Sequence, residues 1–444
     1  MLQAFQNIFK IPELRNKVLF TLAMIVVYRL GVFVAVPGVD ETALSAFFQK
    51  MGGGNLLGFM GMFTGGALQK ASIFALGIMP YVSSSIILQL LTVVIPALEK
   101  MAKEGEEGRK KITQYTRYGT VILALIQTFF IALWLENPRM FQDEVIVPNP
   151  GWAFRLTTIL TMTTGTAFIM WLGEQVDKFG IGNGISLLIA ANIVDSIPEA
   201  FRQTVVLAET GQLQWWKLIV MAGLFFFTVV GVICIIQGTR KIPVQHAKQI
   251  RGSRVYGGNS TYIPLKVNQA GVIPIIFAQS VILFPATIAG FFPQAGALTS
   301  VAHFLSYGSL GYSLIYGTLI LFFTFFYTAI TFNPIEVADH LQKSGGFIPG
   351  IRPGKNTSEF LDFVVTRVAA SGAVFLFIIA IFPSVVSANW LLKLPFLVAS
   401  FFGGTGLLII VGVVLDTMKA IESQLLMRHY EGFIKHGKLK SRRA

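Results

Sequence analysis

Ten separate stretches of about 20 mostly apolar residues run through this chain, and very few folds can accommodate them. They lie roughly at 18–36, 71–95, 118–135, 154–171, 185–206, 216–237, 270–292, 311–332, 365–383 and 396–415. Each is long enough to cross the hydrocarbon of a bilayer as a helix. No water is available there, so each backbone N–H and C=O must be bonded within its own segment, which leaves the α-helix. Composition points the same way. Hydrophobic residues make up 54% of the 444 and charged residues only 13%, about half the share usual in soluble domains. The expected architecture is an all-α polytopic membrane protein with ten transmembrane helices.

A net charge of +13 first suggests nucleic acid, but its distribution argues otherwise. With the N-terminus in the cytoplasm, ten spans return the C-terminus to the same side. Most of the Lys and Arg then fall on that side, including Lys10, Arg15, Lys17, Lys103, Arg109, Lys110, Lys111, Arg240, Lys241, Arg367, Lys438 and Arg443. The positive-inside bias fixes this orientation and accounts for the basic excess. Residues 1–16 are amphipathic and are expected to form a short interfacial helix rather than a cleaved signal. A single cysteine, Cys234, excludes an internal disulfide.

The two halves echo each other. Gly77-Ile78-Met79-Pro80 in span two is matched by Gly271-Val272-Ile273-Pro274 in span seven. Gly182-Asn183-Gly184 opens span five, and Gly403-Gly404-Thr405-Gly406 opens span ten. Short Gly/Pro runs also arise by chance. Read as a repeat, pairs five spans apart give a 5 + 5 organisation whose second half enters the membrane inverted, with the transport path at the interface of the halves. The predicted organisation is an amphipathic helix over 1–16, a first half over 17–206, a second over 207–425 and a basic tail over 426–444.

Between spans one and two, residues 52–66 read GGGNLLGFMGMFTGG. They are apolar but broken by glycines, too short and too flexible to span. A half-helix folding back into the protein suits them, because irregular backbone at membrane depth is tolerated only inside protein or a water-filled cavity. An interfacial helix is the alternative. Two long cytoplasmic segments, 238–269 and 333–364, are rich in Gly, Pro and basic residues. Their length favours a docking surface over simple solvated charge, with Arg251, Arg254 and Arg352 suited to acidic side chains or phosphate.

Catalytic patterns are absent. There is no HExxH, no G-x-S-x-G and no P-loop, and the five histidines do not cluster as metal ligands. No enzyme activity and no cofactor are expected, and work driven by ATP would need a separate motor. Two N-x-[ST] sequons, at Asn259 and Asn356, fall on the cytoplasmic side and are read as chance. No acidic residue is expected in the middle of a span, with Glu174, Asp195 and Asp416 read as lying at ends. That counts against an ion-coupled carrier. Arg29, about 18 Å along the first span, is expected to snorkel to the outer interface. The main alternative is an inverted-repeat small-solute transporter, which needs a polar midplane site. A membrane scaffold without a pore is a third possibility.

The run MFTGGAL (62–68) followed by ASIFALGIMPY (71–81) resembles the second span of the SecY family. So do GRKKITQYTRYGT (108–120), WLGEQVDKFGIGNGIS (171–186), PLKVNQAGVIP (264–274), FPATIA (284–289), FNPIEVAD (332–339) and GFIPGIRPG (346–354). The resemblance covers nearly the whole chain. It implies the central subunit of a protein-conducting channel that passes unfolded polypeptides across the membrane and releases apolar helices laterally into lipid. It also implies two inverted five-helix halves around an hourglass pore. The glycine-broken segment (about 55–66) would be a plug, centred on Leu56, Leu57, Phe59, Met60, Met62 and Phe63. Ile78, Val82, Ile185, Ile189, Ile276 and Ile409 would form an aliphatic constriction, slightly loosened by the small Val82. Ser83, Thr92, Gln127, Asn268, Gln279, Ser280 and Phe284 would line a lateral gate. Arg251, Arg254, Arg352 and Lys355 would dock a motor or ribosome. The implied partners are SecE and SecG, the SecA ATPase, the ribosome, signal sequences, unfolded polypeptide and the lipid bilayer. The implied location is a bacterial inner membrane with both termini cytoplasmic.

Overall fold

The computed structural model describes residues 11–51, 61, 64–141, 145–211, 214–246, 249–251, 254–256, 260–291, 304, 309–387 and 404–436. Helix α1 (Pro12–Gly31) opens on a proline, whose missing N–H costs nothing in a first turn. Helix α2 (Glu41–Met51) follows an Asp40 cap, whose Oδ1 accepts the Thr42 hydroxyl at 2.6 Å and the Thr42 N–H at 2.9 Å. The Thr42 hydroxyl, then the Ala43 and Thr42 N–H groups, hold the Asp40 carboxyl below its usual range. The cap therefore weakens only as pH falls through that lowered value. Next come α3 (Met79–Val94), α4 (Pro96–Lys103), α5 (Glu106–Leu135), α6 (Trp152–Phe179), α7 (Gly184–Glu209) and α8 (Trp215–Gln237). Strands β1 (Thr239–His246), β2 (Gln249–Arg251), β3 (Arg254–Tyr256) and β4 (Ser260–Lys266) follow. The chain continues through α9 (Ile273–Phe291), α10 (Leu310–Thr331), α11 (Pro334–Lys343), β5 (Gly346–Phe347), α12 (Lys355–Ser387) and α13 (Thr405–His436).

Every one of the ten apolar stretches thus carries a helix. Among the described residues, six helices are long and apolar enough to cross a membrane, and the pair α3–α4, bent by 101° at its break, makes a seventh. Pro96 causes the bend: Ile95 before it is extended (φ −98°, ψ 112°), as the ring of a following proline requires.

Span two departs from the sequence expectation. Residues 71–78 are not helical, and α3 begins only at Met79. Gly77 has φ +56°, a left-handed conformation that ends any helical run, and Pro80 restarts the helix. Span one is also shorter than expected. After Gly31 the chain turns and becomes extended, and Ala35 bridges Ser72 antiparallel. The irregular backbone is buried, and it meets its hydrogen bonds locally. Val36 N–H reaches Ala71 O at 2.8 Å, Ile73 N–H reaches Val34 O at 2.9 Å, and Gly77 N–H reaches Phe74 O at 2.8 Å. Non-helical backbone at membrane depth survives under these conditions. Gly165 of α6 carries no side chain because the Ile73 carbonyl occupies the space a Cβ would need.

The two long cytoplasmic segments are folded. β1 pairs with β4 from Thr239 to Gln245, and its end pairs with β5 (Gln245↔Phe347, His246↔Gly346), giving an antiparallel sheet β4-β1-β5. Ile242 and Val244 alternate inward on β1 and join Leu265, Ile348, Leu361, Val364 and Val365 in one core, with Val337 and Leu341 of α11 against it. The described chain divides into two units. One spans 1–203 with 290–292 and the chain from Ile409 onward; the other spans 204–289 and 293–408.

Candidate functional site

Most of the glycine-broken segment lies outside the described residues, including Leu56, Leu57, Phe59, Met60, Met62 and Phe63. Its end is described. Thr64 is 2% exposed, and Gly66 N–H closes a turn onto Gly61 O at 2.8 Å. From there the chain runs buried through Ala67, Leu68 and Ala71 to Ile78, the residue that caps α3.

The candidate constriction residues are nearly all interior. Ile78, Val82, Ile189, Ile276 and Ile409 are buried, and Ile185 is half-buried. On a helix meant to face lipid they would be exposed, as Phe226 and Phe227 of α8 are. Ile185 Cγ1 lies 3.3 Å from where a Cβ on Gly173 of α6 would sit, so its side chain packs on α6.

The start of α7, which carries Ile185 and Ile189, is fixed by its surroundings. Asn183 caps it, accepting Ser186 N–H at 2.9 Å, and Gly184 N–H donates to Asp177 Oδ1 at 2.7 Å. Thr21 of α1 accepts Ile181 N–H at 3.1 Å. Leu14 and Ile181 pack with Ala420, Ile421 and Leu425 of α13. Gly184 lies so close under the Gly173 carbonyl and Val176 that no Cβ would fit. The GIGNG run is therefore a tight joint that seats α7 on α1, α6 and α13.

Sequence reasoning missed three ion pairs. Arg117 of α5 grips Glu174 of α6 through two bonds, 2.7 and 2.6 Å, and so joins the runs 108–120 and 171–186. Glu136 accepts Arg155 Nε at 2.7 Å and Gly151 N–H at 2.9 Å, closing the connection between α5 and α6. Arg29 does not snorkel outward alone; it pairs with Asp195 of α7. Only this last pair had a signal in the sequence, a charge inside each of two spans; Asp195 lies midway along α7 (Gly184–Glu209), not at a span end as the sequence reading expected.

Of the lateral-gate candidates, Ser83 on α3, Thr92 on α3 and Gln127 on α5 are half-buried. Thr92 satisfies its hydroxyl on Gln89 O at 2.6 Å. Asn268, Gln279 and Ser280 are buried. Asn268 Nδ2 donates to Gly271 O at 2.9 Å and Ser280 Oγ to Ile276 O at 2.9 Å. Both amide atoms of Gln279 lack a hydrogen-bond partner among the described residues. The side chain of Phe284 lies outside the described residues. Of the docking candidates, Arg251 and Arg254 face each other across the β2–β3 ladder, with side chains outside the described residues. Arg352 and Lys355 are exposed at the edge of the sheet core, just before and at the start of α12.

Comparison with known proteins adds to this geometry. A family profile described as SecY matches residues 72–418. The protein translocase subunit SecY of Escherichia coli is 46% identical over 431 residues, covering 96% of this chain and 95% of that protein. The protein of the same name from Thermotoga maritima is 43% identical and covers both chains fully. Among solved structures, one of a protein-conducting channel superposes with a TM-score of 0.64 at 19% identity, covering 93% of both chains. Sec61 from a canine ribosome–channel complex superposes with a TM-score of 0.60 at 17% identity, again covering 93% of both. At these identities the structural likeness speaks for the fold.

Proposed function

Because the chain belongs to the SecY family, we propose a reading of how its own residues do a translocase subunit's work. It is a multi-pass membrane protein and a subunit of a protein-conducting channel. A polypeptide in transit has no fixed sequence, so its conduit cannot depend on specific hydrogen bonds. Ile78, Val82, Ile185, Ile189, Ile276 and Ile409 serve as an aliphatic constriction that gates by dewetting and closes around any side chain. The segment around 55–66 serves as the plug that shuts the idle pore. Residues on α3, α5 and α9 serve as the seam through which an apolar signal helix leaves for lipid, where burial of its apolar area is favourable.

Arg352 and Lys355, exposed beside the β4-β1-β5 sheet, serve with Arg251 and Arg254 of the separate β2–β3 ladder to dock a driving partner. SecA and the ribosome are the proposed drivers, with SecE and SecG as membrane partners in a bacterial inner membrane and both termini cytoplasmic. No catalytic role is proposed for the chain itself. The observation that carries this reading is the largely buried, hydrogen-bonded, non-helical run from Gly65 to Ile78. It delivers the chain from the plug segment directly to the first constriction residue. A small-solute carrier would need a polar midplane site, and the six constriction candidates are all aliphatic. The test is reconstitution with the membrane partners and the ATPase in proteoliposomes. Uptake of an unfolded secretory precursor on ATP addition is expected; uptake of small solutes without precursor transport would overturn the reading.

A further inference from the structure

The turn that ends the plug segment is met by a charge that neither the constriction nor the docking rim uses. Arg29 lies in the last turn of α1 and pairs with Asp195 of α7. Ionised groups within membrane-spanning helices are expensive and mark function. One side of this pair is open, since the Asp195 side chain is 45% exposed. The other side is closed: Arg29 Nη1 is buried and has no hydrogen-bond partner among the described residues. That atom lies against Gly65. A Cβ built on Gly65 would sit 2.6 Å from Arg29 Nη1 and 2.7 Å from Asn192 Oδ1. Gly65 also has φ +61°, so both its conformation and its surroundings require glycine. Tyr28 beside Arg29 is buried, stacks on Phe74 at 5.7 Å between ring centres and hydrogen-bonds Asn192. The guanidinium is therefore held by α7, and its spare donor lies against Gly65.

We propose that the Arg29–Asp195 pair is a positioning device for this turn: Asp195 holds the guanidinium, the guanidinium seats the Gly65 backbone, and the seat sets where the plug segment rests in the idle channel. The inference rests on the plug reading of residues 55–66. Removing Asp195 frees the guanidinium to turn away, and a Cβ at position 65 pushes the turn off its seat. Neither change touches the constriction residues.

The experiment is idle conductance of the reconstituted channel complex in planar bilayers. Asp195→Asn, Arg29→Lys and Gly65→Ala are each expected to raise it about tenfold, the scale of one lost charge-assisted contact. Asp195→Glu, which keeps the charge, restores the seal. Gly65→Ala leaves both charged residues in place, so it tests the seat even where a charge variant assembles poorly. In a chain lacking residues 55–65, Asp195→Asn adds nothing, because both changes act through one element. A pair that merely ties α1 to α7 would instead give additive leaks in the two backgrounds, which would overturn the proposal. So would variants as tight as the parent when the deletion itself leaks. A deletion that does not leak removes the plug reading, and this inference with it.

Discussion

Deletion of residues 55–65 is expected to leave an assembled channel that conducts ions when idle. The fold survives because the chain from Ser72 onward is anchored independently of the deleted segment. Ser72 bridges Ala35, Ile73 bonds Val34, and Phe74 is buried against Tyr28 and Gly31. α2 ends at Met51, and shortening the connection that follows it changes closure entropy by about 1 kcal/mol. The deletion removes whatever blocks the pore, so the leak appears without unfolding. The measurement is single-channel conductance together with thermal stability in detergent. Silent bilayers combined with lost transport would contradict the plug assignment.

The second large effect is expected at Arg352. It sits on backbone fixed from both sides: Ile351 N–H bonds Ile348 O at 3.1 Å, and Thr357 Oγ1 donates to Arg352 O at 2.9 Å. Ile348 is buried in the sheet core and Ile351 packs on it. The guanidinium is therefore presented on a rigid rim, where little ordering entropy opposes binding. Arg352→Glu replaces a bidentate donor with a repelling charge and costs about 2–5 kcal/mol of docking. Motor-driven transport should fall at least thirtyfold, about 2 kcal/mol at ten-fold per 1.4, while insertion of the channel into the membrane is unchanged. Arg202→Glu is the internal control. Arg202 is 71% exposed on α7, 2.8 Å from Glu199, and such pairs contribute under about 1 kcal/mol. Transport rates in proteoliposomes check both, and normal rates for Arg352→Glu would refute the docking role.

Among the described residues, hydropathy makes the spanning helices legible, because a span of apolar residues leaves the backbone no other choice. Its limits show in span two. Residues 71–78 are as apolar as a helix core, but Gly77 and Pro80 break them, and only tertiary contacts to α1 and α6 stabilise irregular backbone there. The sheet platform escapes a loop-versus-strand reading for a different reason. Basic residues, glycine and two prolines dominate 239–266, yet Ile242, Val244, Ile263 and Leu265 keep a period of two, and that period decides the fold. The pairings Arg117–Glu174 and Glu136–Arg155 join positions far apart in sequence, so no local pattern could reveal them. Arg29 and Asp195 are each visible as a charge, but their pairing is not.

The central claim is that aliphatic side chains, not polar ones, meet the moving polypeptide. It is tested by single cysteines. Cys234 is exposed on α8 and is first replaced by serine. Ile78→Cys, Ile189→Cys, Ile276→Cys and Ile409→Cys are then each combined with a polypeptide arrested in transit that carries one cysteine. Disulfide cross-links to the arrested chain are predicted from all four positions, and none from an exposed control such as Phe227→Cys. Four positions that never couple to the polypeptide, and that react only with reagents dissolved in the acyl chains, would contradict the account.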